Sequence, residues 1–242
     1  MPRYFLELAY KGTAYSGFQT QHNTGQTIQA MVEAAFLTLQ RQPVTLTGSS
    51  RTDAGVHALQ NFFHFDYAGE LHPQFLYKIN AILPRDIVIK SLREVPDTSH
   101  CRFDAVSRRY KYFIYRDKNP FLEDRAYYYP YRLDLEAMQA AAAIVREYND
   151  FTSFSKRNTQ VKTFQCTIFT SQWAVEEGSL VYEVKGNRFL RGMVRALTGT
   201  MLLVGRGSIT LDGFRQIIEA KDCTKANFGV PARGLFLAEV AF

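Results

Sequence analysis

The order of strand-like and helix-like periodicity constrains this chain most, because the same order occurs twice. Arg3–Tyr10 alternates like a strand. Thr27 is placed as an N-cap, and Ile28, Val32, Ala35, Phe36 and Leu39 then recur at helical spacing. Val44–Thr47 and Leu59–Phe65 alternate as two further strands. Pro73 opens a helix with Phe75, Leu76, Ile79 and Ile82, which Pro84 ends, and Ile87–Leu92 is a fourth strand. The second pass runs from a strand at Arg109–Tyr115 to an alanine-rich helix at Leu135–Val145. A strand pair follows, Thr163–Trp173 and Leu180–Lys185, turned at Glu177-Gly178. Helices at Phe189–Val204 and Gly213–Ala220 and a last strand at Leu235–Val240 complete it. Two β-α-β-β-α-β halves predict an α+β fold of two ferredoxin-like units, residues 1–104 and 105–242. Their strands are expected to join into one long antiparallel sheet with helices on one face. Pro96–His100 reads as the linker, Asp117–Arg132 as an irregular excursion, and Ser155–Lys162 as an exposed basic loop.

At 242 residues, 46% hydrophobic, the chain can bury a sizeable core. No apolar run approaches the roughly 18 residues of a membrane span, and the N-terminal residues lack the apolar core of a signal peptide. A cytoplasmic protein without a membrane partner is expected. Three scattered cysteines and five scattered histidines give no disulfide framework and no metal-ligand spacing, so no metal is expected. Phosphate-loop, dinucleotide-binding and serine-nucleophile motifs are absent from the sequence, and no cofactor is expected. The formal charge of +6 points to an anionic partner, most often nucleic acid.

Three segments can carry chemistry. In Ser49–Ala58, "SSRTDAGVHA", a turn at Asp53-Ala54-Gly55 explains the glycine. Arg51 and Asp53, two apart, share a face in extended backbone, where Arg51 can support the loop or bind a phosphate beside the carboxylate. From Arg188, a helix would carry Arg188, Arg191 and Arg195 on one face. Arg195, flanked by Val194 and Leu197, needs a partner if buried, and an aspartate from the other half would serve and stay ionised. In Ser107–Tyr115, Tyr110 stands among cations, as a base-stacking platform would. Lys156 and Arg157, in the exposed basic loop, are further candidate RNA contacts. Residue pattern alone stops at a basic two-lobed protein with an aspartate site and a nucleic-acid ligand.

At these residues the sequence strongly resembles the tRNA pseudouridine synthase A family. "AYKGTAYSGFQTQ" (Ala9–Gln21) is similar to the family's opening motif, and "SSRTDAGVHA" to its aspartate signature. "RRYKYFIY", "DFTSFS" (Asp150–Ser155), "NRFLRGMVRALTG" (Asn187–Gly199) and "VPARGLFLAEV" (Val230–Val240) follow in order. The resemblance implies Asp53 as the catalytic carboxylate, Tyr110 as the base-stacking ring and Arg195 as the arginine paired with the aspartate. It implies Arg51 as a holder of the flipped nucleotide; Arg188 and Arg191, like Lys156 and Arg157, are candidate RNA contacts from the charge pattern alone. It also implies a homodimer that converts uridine to pseudouridine in the anticodon stem-loop of tRNA, at positions 38–40. Phe18, Ser50 and Lys11 depart from the family's more usual Trp, Gly and Asp. Rival readings are a synthase for another RNA, a non-catalytic RNA-binding protein on the same fold, and a glycoside hydrolase. The last would need a second carboxylate, and no acid near Asp53 in sequence supplies it.

Overall fold

A computed structural model describes residues 1–157 and 161–242. The middle of the basic loop read at Ser155–Lys162 thus lies outside the described residues. The fold class is mixed α and β with largely antiparallel strands, as expected. The chain forms two compact units, Met1–Val106 with Phe236–Phe242, and Ser107–Leu235.

In the first unit, β1 (Arg3–Tyr10) pairs antiparallel with β3 (His57–Asp66) on one side and β4 (Ile87–Val95) on the other. Helix α1 (Ile28–Gln40) starts where the pattern placed it: Thr27 Oγ1 accepts the Ala30 N–H at 3.2 Å, satisfying one of the first-turn donors. Its apolar stripe of Ile28, Val32, Ala35 and Phe36 is buried. Phe36 meets Phe65, Tyr67 and Phe75 at 5.3–5.6 Å, so β3 and α2 (Phe75–Ile82) close on one aromatic centre.

The strand expected at Val44–Thr47 shrinks to β2, Thr47–Gly48. The cause is local. Glu33 Oε1 accepts the Leu46 N–H at 3.1 Å and Gln29 Nε2 donates to the Leu46 carbonyl at 2.9 Å, so side chains of α1 take the groups a ladder would need. The last strand, β9 (Leu235–Ala241), was read as the close of the second half. From Phe236 on it belongs to the first unit, where His57 and Ala58 of β3 face Phe236 and Leu237 in parallel.

In the second unit, β8 (Ser179–Gly186) lies between β5 (Ser107–Tyr115) and β7 (Ile168–Glu176), antiparallel to both. The β7–β8 turn falls at Glu177-Gly178, both with positive φ, the backbone a two-residue hairpin demands. A two-residue strand, β6 (Tyr127–Tyr128), adds to β5. Helix α3 (Leu135–Val145) is capped by Asp134, whose Oδ1 accepts the Ala137 N–H at 2.9 Å. Helices α4 (Met193–Gly205) and α5 (Leu211–Glu219) follow.

Helix α4 differs from the expectation of a start at Phe189. It begins at Met193, after Gly192 at φ 78°, a left-handed conformation that interrupts right-handed helix. Arg188 and Arg191 therefore precede the helix, and the predicted basic stripe at i, i+3 and i+7 does not form a helix face. Most of α4 is buried, leaving Arg195 as its one basic residue.

One buried histidine makes the first unit sensitive to acid. His64 of β3 lies in the core with Cys101 Sγ 3.2 Å from Nδ1. Burial first, then the neighbouring His100 and Arg3, push its pKa down to about 4, against roughly 6.5 in an unfolded chain. Between those values the unfolded chain takes up a proton that the native chain refuses. Stability is therefore fully present above the unfolded value and falls with pH through that window. Thermal melts from pH 7 to pH 4 should show this fall, and His64→Gln should flatten it.

Candidate active site

The segment that bears Asp53 is fixed from behind. Asn61, fully buried on β3, donates through Nδ2 to the Ser50 carbonyl at 2.8 Å and to Tyr10 Oη at 3.3 Å. Its Oδ1 accepts the Phe62 N–H at 2.8 Å. Tyr10 Oη and Thr52 Oγ1 are hydrogen-bonded at 2.7 Å, and Ser49 N–H donates to the Phe62 carbonyl at 2.8 Å. Residues 49, 50 and 52 on one side of Asp53 are thus tied to β1 and β3. Because residue 50 is held through its carbonyl, serine in the family's more usual glycine position leaves that tie intact.

On the other side of Asp53 the chain turns. Val56 N–H donates to the Asp53 carbonyl at 3.2 Å, and Gly55 at the third position has φ 77°, the arrangement of a type II turn. The turn read at Asp53-Ala54-Gly55 is present. It packs against the opening motif: Gly55 N–H donates to the Tyr15 carbonyl, Phe18 N–H to the Thr52 carbonyl, and Gly12 N–H to His57 Nδ1 at 3.0 Å. Gly12 allows the contact, since a Cβ there would lie 2.0 Å from the Val56 oxygen. The motifs at Ala9–Gln21 and Ser49–Ala58, far apart in sequence, thus interlock. Phe18 forms part of the base, buried and stacked on Phe63 with ring centres 4.5 Å apart. The backbone stands fixed while the Asp53 side chain is half-buried and Arg51 exposed.

Tyr110, Arg195, Arg188, Arg191, Lys156 and Arg157 all lie in the second unit. Tyr110 is half-buried on β5, and Phe189 packs edge-to-face on its ring with centres 5.0 Å apart. The pattern makes Phe189 the first residue of a helix. Outside that helix it serves as the brace of Tyr110. Arg195 is half-buried, and both its Nε and Nη2 donate to the Val230 carbonyl, at 2.9 and 2.6 Å. The next residue, Pro231, accepts from the Tyr112 hydroxyl at 2.6 Å. Burial raises the pKa of that hydroxyl, keeping it a donor. One carbonyl pair from the "VPARG" motif therefore fixes an arginine and a tyrosine.

Lys156 and Arg191 come together, the Lys156 N–H donating to the Arg191 carbonyl at 2.9 Å. Lys156 and Arg157 also line a cleft of about 300 Å³ with Phe164 and Lys221. Arg188 lies near Cys166, whose thiol burial pushes up to about 11. Among the described residues no group of three or more His, Cys, Asp or Glu side chains is placed to hold a metal ion, and no helix is long and apolar enough to cross a membrane.

Residues 8–104 and 148–242 match the model of the tRNA pseudouridine synthase family. The chain belongs to that family. It is similar along its whole length to proteins named tRNA pseudouridine synthase A. The one from Parabacteroides distasonis is 47% identical over all of this chain and 96% of its own. Those from Porphyromonas gingivalis and an Exiguobacterium species are 43% and 38% identical, each over all of this chain and 98% of its own. The activity is that of an isomerase, a pseudouridine synthase.

The sequence pattern singled out Asp53 and Arg51 but missed Asn61, Tyr10 and Thr52 behind them. A fully buried asparagine in a phenylalanine-rich strand was the available signal, since such a side chain needs partners. Asn61→Ala should cost about 1–3 kcal/mol by leaving the Ser50 carbonyl and Phe62 N–H without their partner. It should also lower turnover more than RNA affinity, which thermal melts, titrations and single-turnover assays together resolve.

Proposed function

We propose that the protein converts uridine to pseudouridine in tRNA, in the anticodon stem-loop at positions 38–40, with Asp53 as the catalytic carboxylate. The observation that carries this reading is the seat of Asp53: a half-exposed acid on a turn whose flanking backbone is held by buried hydrogen bonds, in a chain of this family. Preorganisation of that kind keeps a reacting group in place without reorganisation at the moment of reaction.

The reaction breaks the N1–C1′ bond of uridine, turns the base and rejoins it through C5. No group is lost and nothing is oxidised. A uridine in a stem must first leave its stack, at a cost of a few kcal/mol. Tyr110, braced by Phe189, receives the flipped ring, and Arg51 holds the displaced nucleotide by its phosphate. Asp53 begins the chemistry by one of two routes, attack on C1′ or removal of a proton from C2′. Arg195 is the guanidinium that the family resemblance pairs with that carboxylate. After rejoining, the C5 proton leaves, with Tyr110 placed to assist. A homodimer working in the cytoplasm completes the reading.

Asp53→Asn should abolish tritium release from tRNA labelled with [5-³H]uridine while binding persists. Release near the unaltered rate would remove Asp53 from the mechanism. Primer extension after carbodiimide treatment should place the product at positions 38–40, and product elsewhere would reassign the substrate. The association of Lys156 with Arg191 supports a basic RNA contact in the second unit. Arg191→Ala should weaken tRNA binding a few-fold and make its salt dependence shallower by about one ion. An unchanged slope would leave Arg191 outside the interface.

A further inference from the structure

Residues 11–18 hold the chain on both sides of Asp53. Phe18 N–H donates to the Thr52 carbonyl at 3.1 Å, just before the acid, and the Tyr15 carbonyl accepts the Gly55 N–H at 3.4 Å, just after it. The aspartate turn is therefore only as steady as this segment. Its Phe18 end hangs from α1, whose Gln29 N–H donates to the Phe18 carbonyl at 2.9 Å. Its Tyr15 end is fixed by a residue that none of the roles above uses. Asp86, half-buried, immediately precedes β4 and stands 71 positions from Tyr15 in sequence. The Tyr15 hydroxyl donates to Asp86 Oδ1 at 2.6 Å, and the Asp86 main-chain carbonyl accepts the Lys11 N–H at 2.9 Å. One residue thus grips the segment through both its side chain and its backbone.

Asp86 is a firm anchor. Ile87, the first residue of β4, is buried, faces Tyr10 of β1 in the sheet and donates its N–H to the Pro84 carbonyl at 3.0 Å. Tyr15 is buried as well. Burial first, then the bond to Asp86, raises the pKa of its phenol, which keeps it a donor. The length of the bond is that of a charge-assisted one, roughly twice as strong as a bond between neutral groups. A tyrosine has few side-chain torsions, so fixing its hydroxyl fixes the backbone it stands on. Tyr15 is therefore a strut, tied at its hydroxyl to Asp86 and at its carbonyl to the aspartate turn.

We propose that Tyr15 and Asp86 are positioning residues of the isomerase: the strut from Asp86 through Tyr15 to Gly55 sets where the Asp53 carboxylate stands against the bound uridine. The proposal rests on Asp53 as the reacting carboxylate. Neither residue acts on the substrate directly; both act through the turn. A reacting group displaced by about an ångström loses much of its rate, while the RNA, held by its own contacts, binds as before.

Tyr15→Phe keeps the buried ring and removes the hydroxyl. Asp86→Ala removes the acceptor, and Asp86→Asn supplies a neutral one. With enzyme in excess over tRNA labelled with [5-³H]uridine, Tyr15→Phe and Asp86→Ala should each slow single-turnover tritium release about tenfold. Asp86→Asn should recover most of the rate lost by Asp86→Ala. Affinity for tRNA, followed by fluorescence anisotropy, should stay within about twofold in all three. Hydrogen exchange at the Gly55 and Val56 amides should quicken in Tyr15→Phe and Asp86→Ala, a readout that needs no RNA. An unaltered rate in Tyr15→Phe, a loss of affinity in place of rate, equal slowing by Asp86→Asn and Asp86→Ala, or unchanged exchange in the turn would overturn the proposal. So would melting of Tyr15→Phe below the assay temperature, which would make the bond a support of the whole unit rather than of the turn. Failure of the functional reading is distinguishable, because Asp53→Asn would then release tritium near the unaltered rate, whatever Tyr15→Phe does.

Discussion

The first unit depends on a single buried carboxamide. Asn61 sits in the same strand as Phe62, Phe63 and Phe65 and is fully buried, so an unpaired amide there would be expensive. Every bond it makes points toward the aspartate segment or the strand beneath it: the Ser50 carbonyl, the Tyr10 hydroxyl and the Phe62 N–H. Tyr10 passes the constraint to Thr52. The interior of the unit therefore extends as a polar chain to within one residue of Asp53. A loop held only by its own turn would fray on fast timescales, whereas this one inherits the rigidity of β1 and β3.

Local pattern was enough to read the elements whose signals are local. Thr27 caps its helix where the pattern places it, and Glu177-Gly178 turns the β7–β8 hairpin. Asp53 and Arg51 were legible because a short polar run between two strands is conspicuous. The departures all have long-range or conformational causes. The strand expected at Val44 gave way because Gln29 and Glu33, a dozen or more residues earlier, bond to Leu46. The helix expected from Phe189 starts four residues later because Gly192 takes a left-handed conformation that spacing alone does not reveal. With it went the arginine stripe, and Phe189 became available to Tyr110. The tie between the opening motif and the aspartate turn depends on backbone groups, whose partners a residue pattern does not encode.

Net charge gives a coarse account of where an anion can bind. Many basic residues of the second unit are already engaged: Lys111 with Glu176, Arg109 with Glu183, Lys221 with Asp150, Arg215 with Glu147, and Arg195 with the Val230 carbonyl. Exposed pairs of this kind contribute little to stability, but they lower the local positive potential. The formal charge of +6 is thus unevenly available to an anion.

Under the proposed reaction, a base freed from its sugar must remain in place until it is rejoined. That requirement separates the site from one built for hydrolysis, where the base leaves and water enters. An aromatic face holds a flat ring against translation yet permits it to turn in its own plane, which is the motion the isomerisation needs. Tyr110, held in a T-shaped contact with Phe189, offers such a ring. The carboxylate has the opposite requirement. It must keep one position while the ring turns, and a backbone tied on one side to Asn61 and Thr52 and on the other to Tyr15 and Gly12 meets it. Mobility is then confined to the substrate, and the protein supplies a fixed frame for the rearrangement.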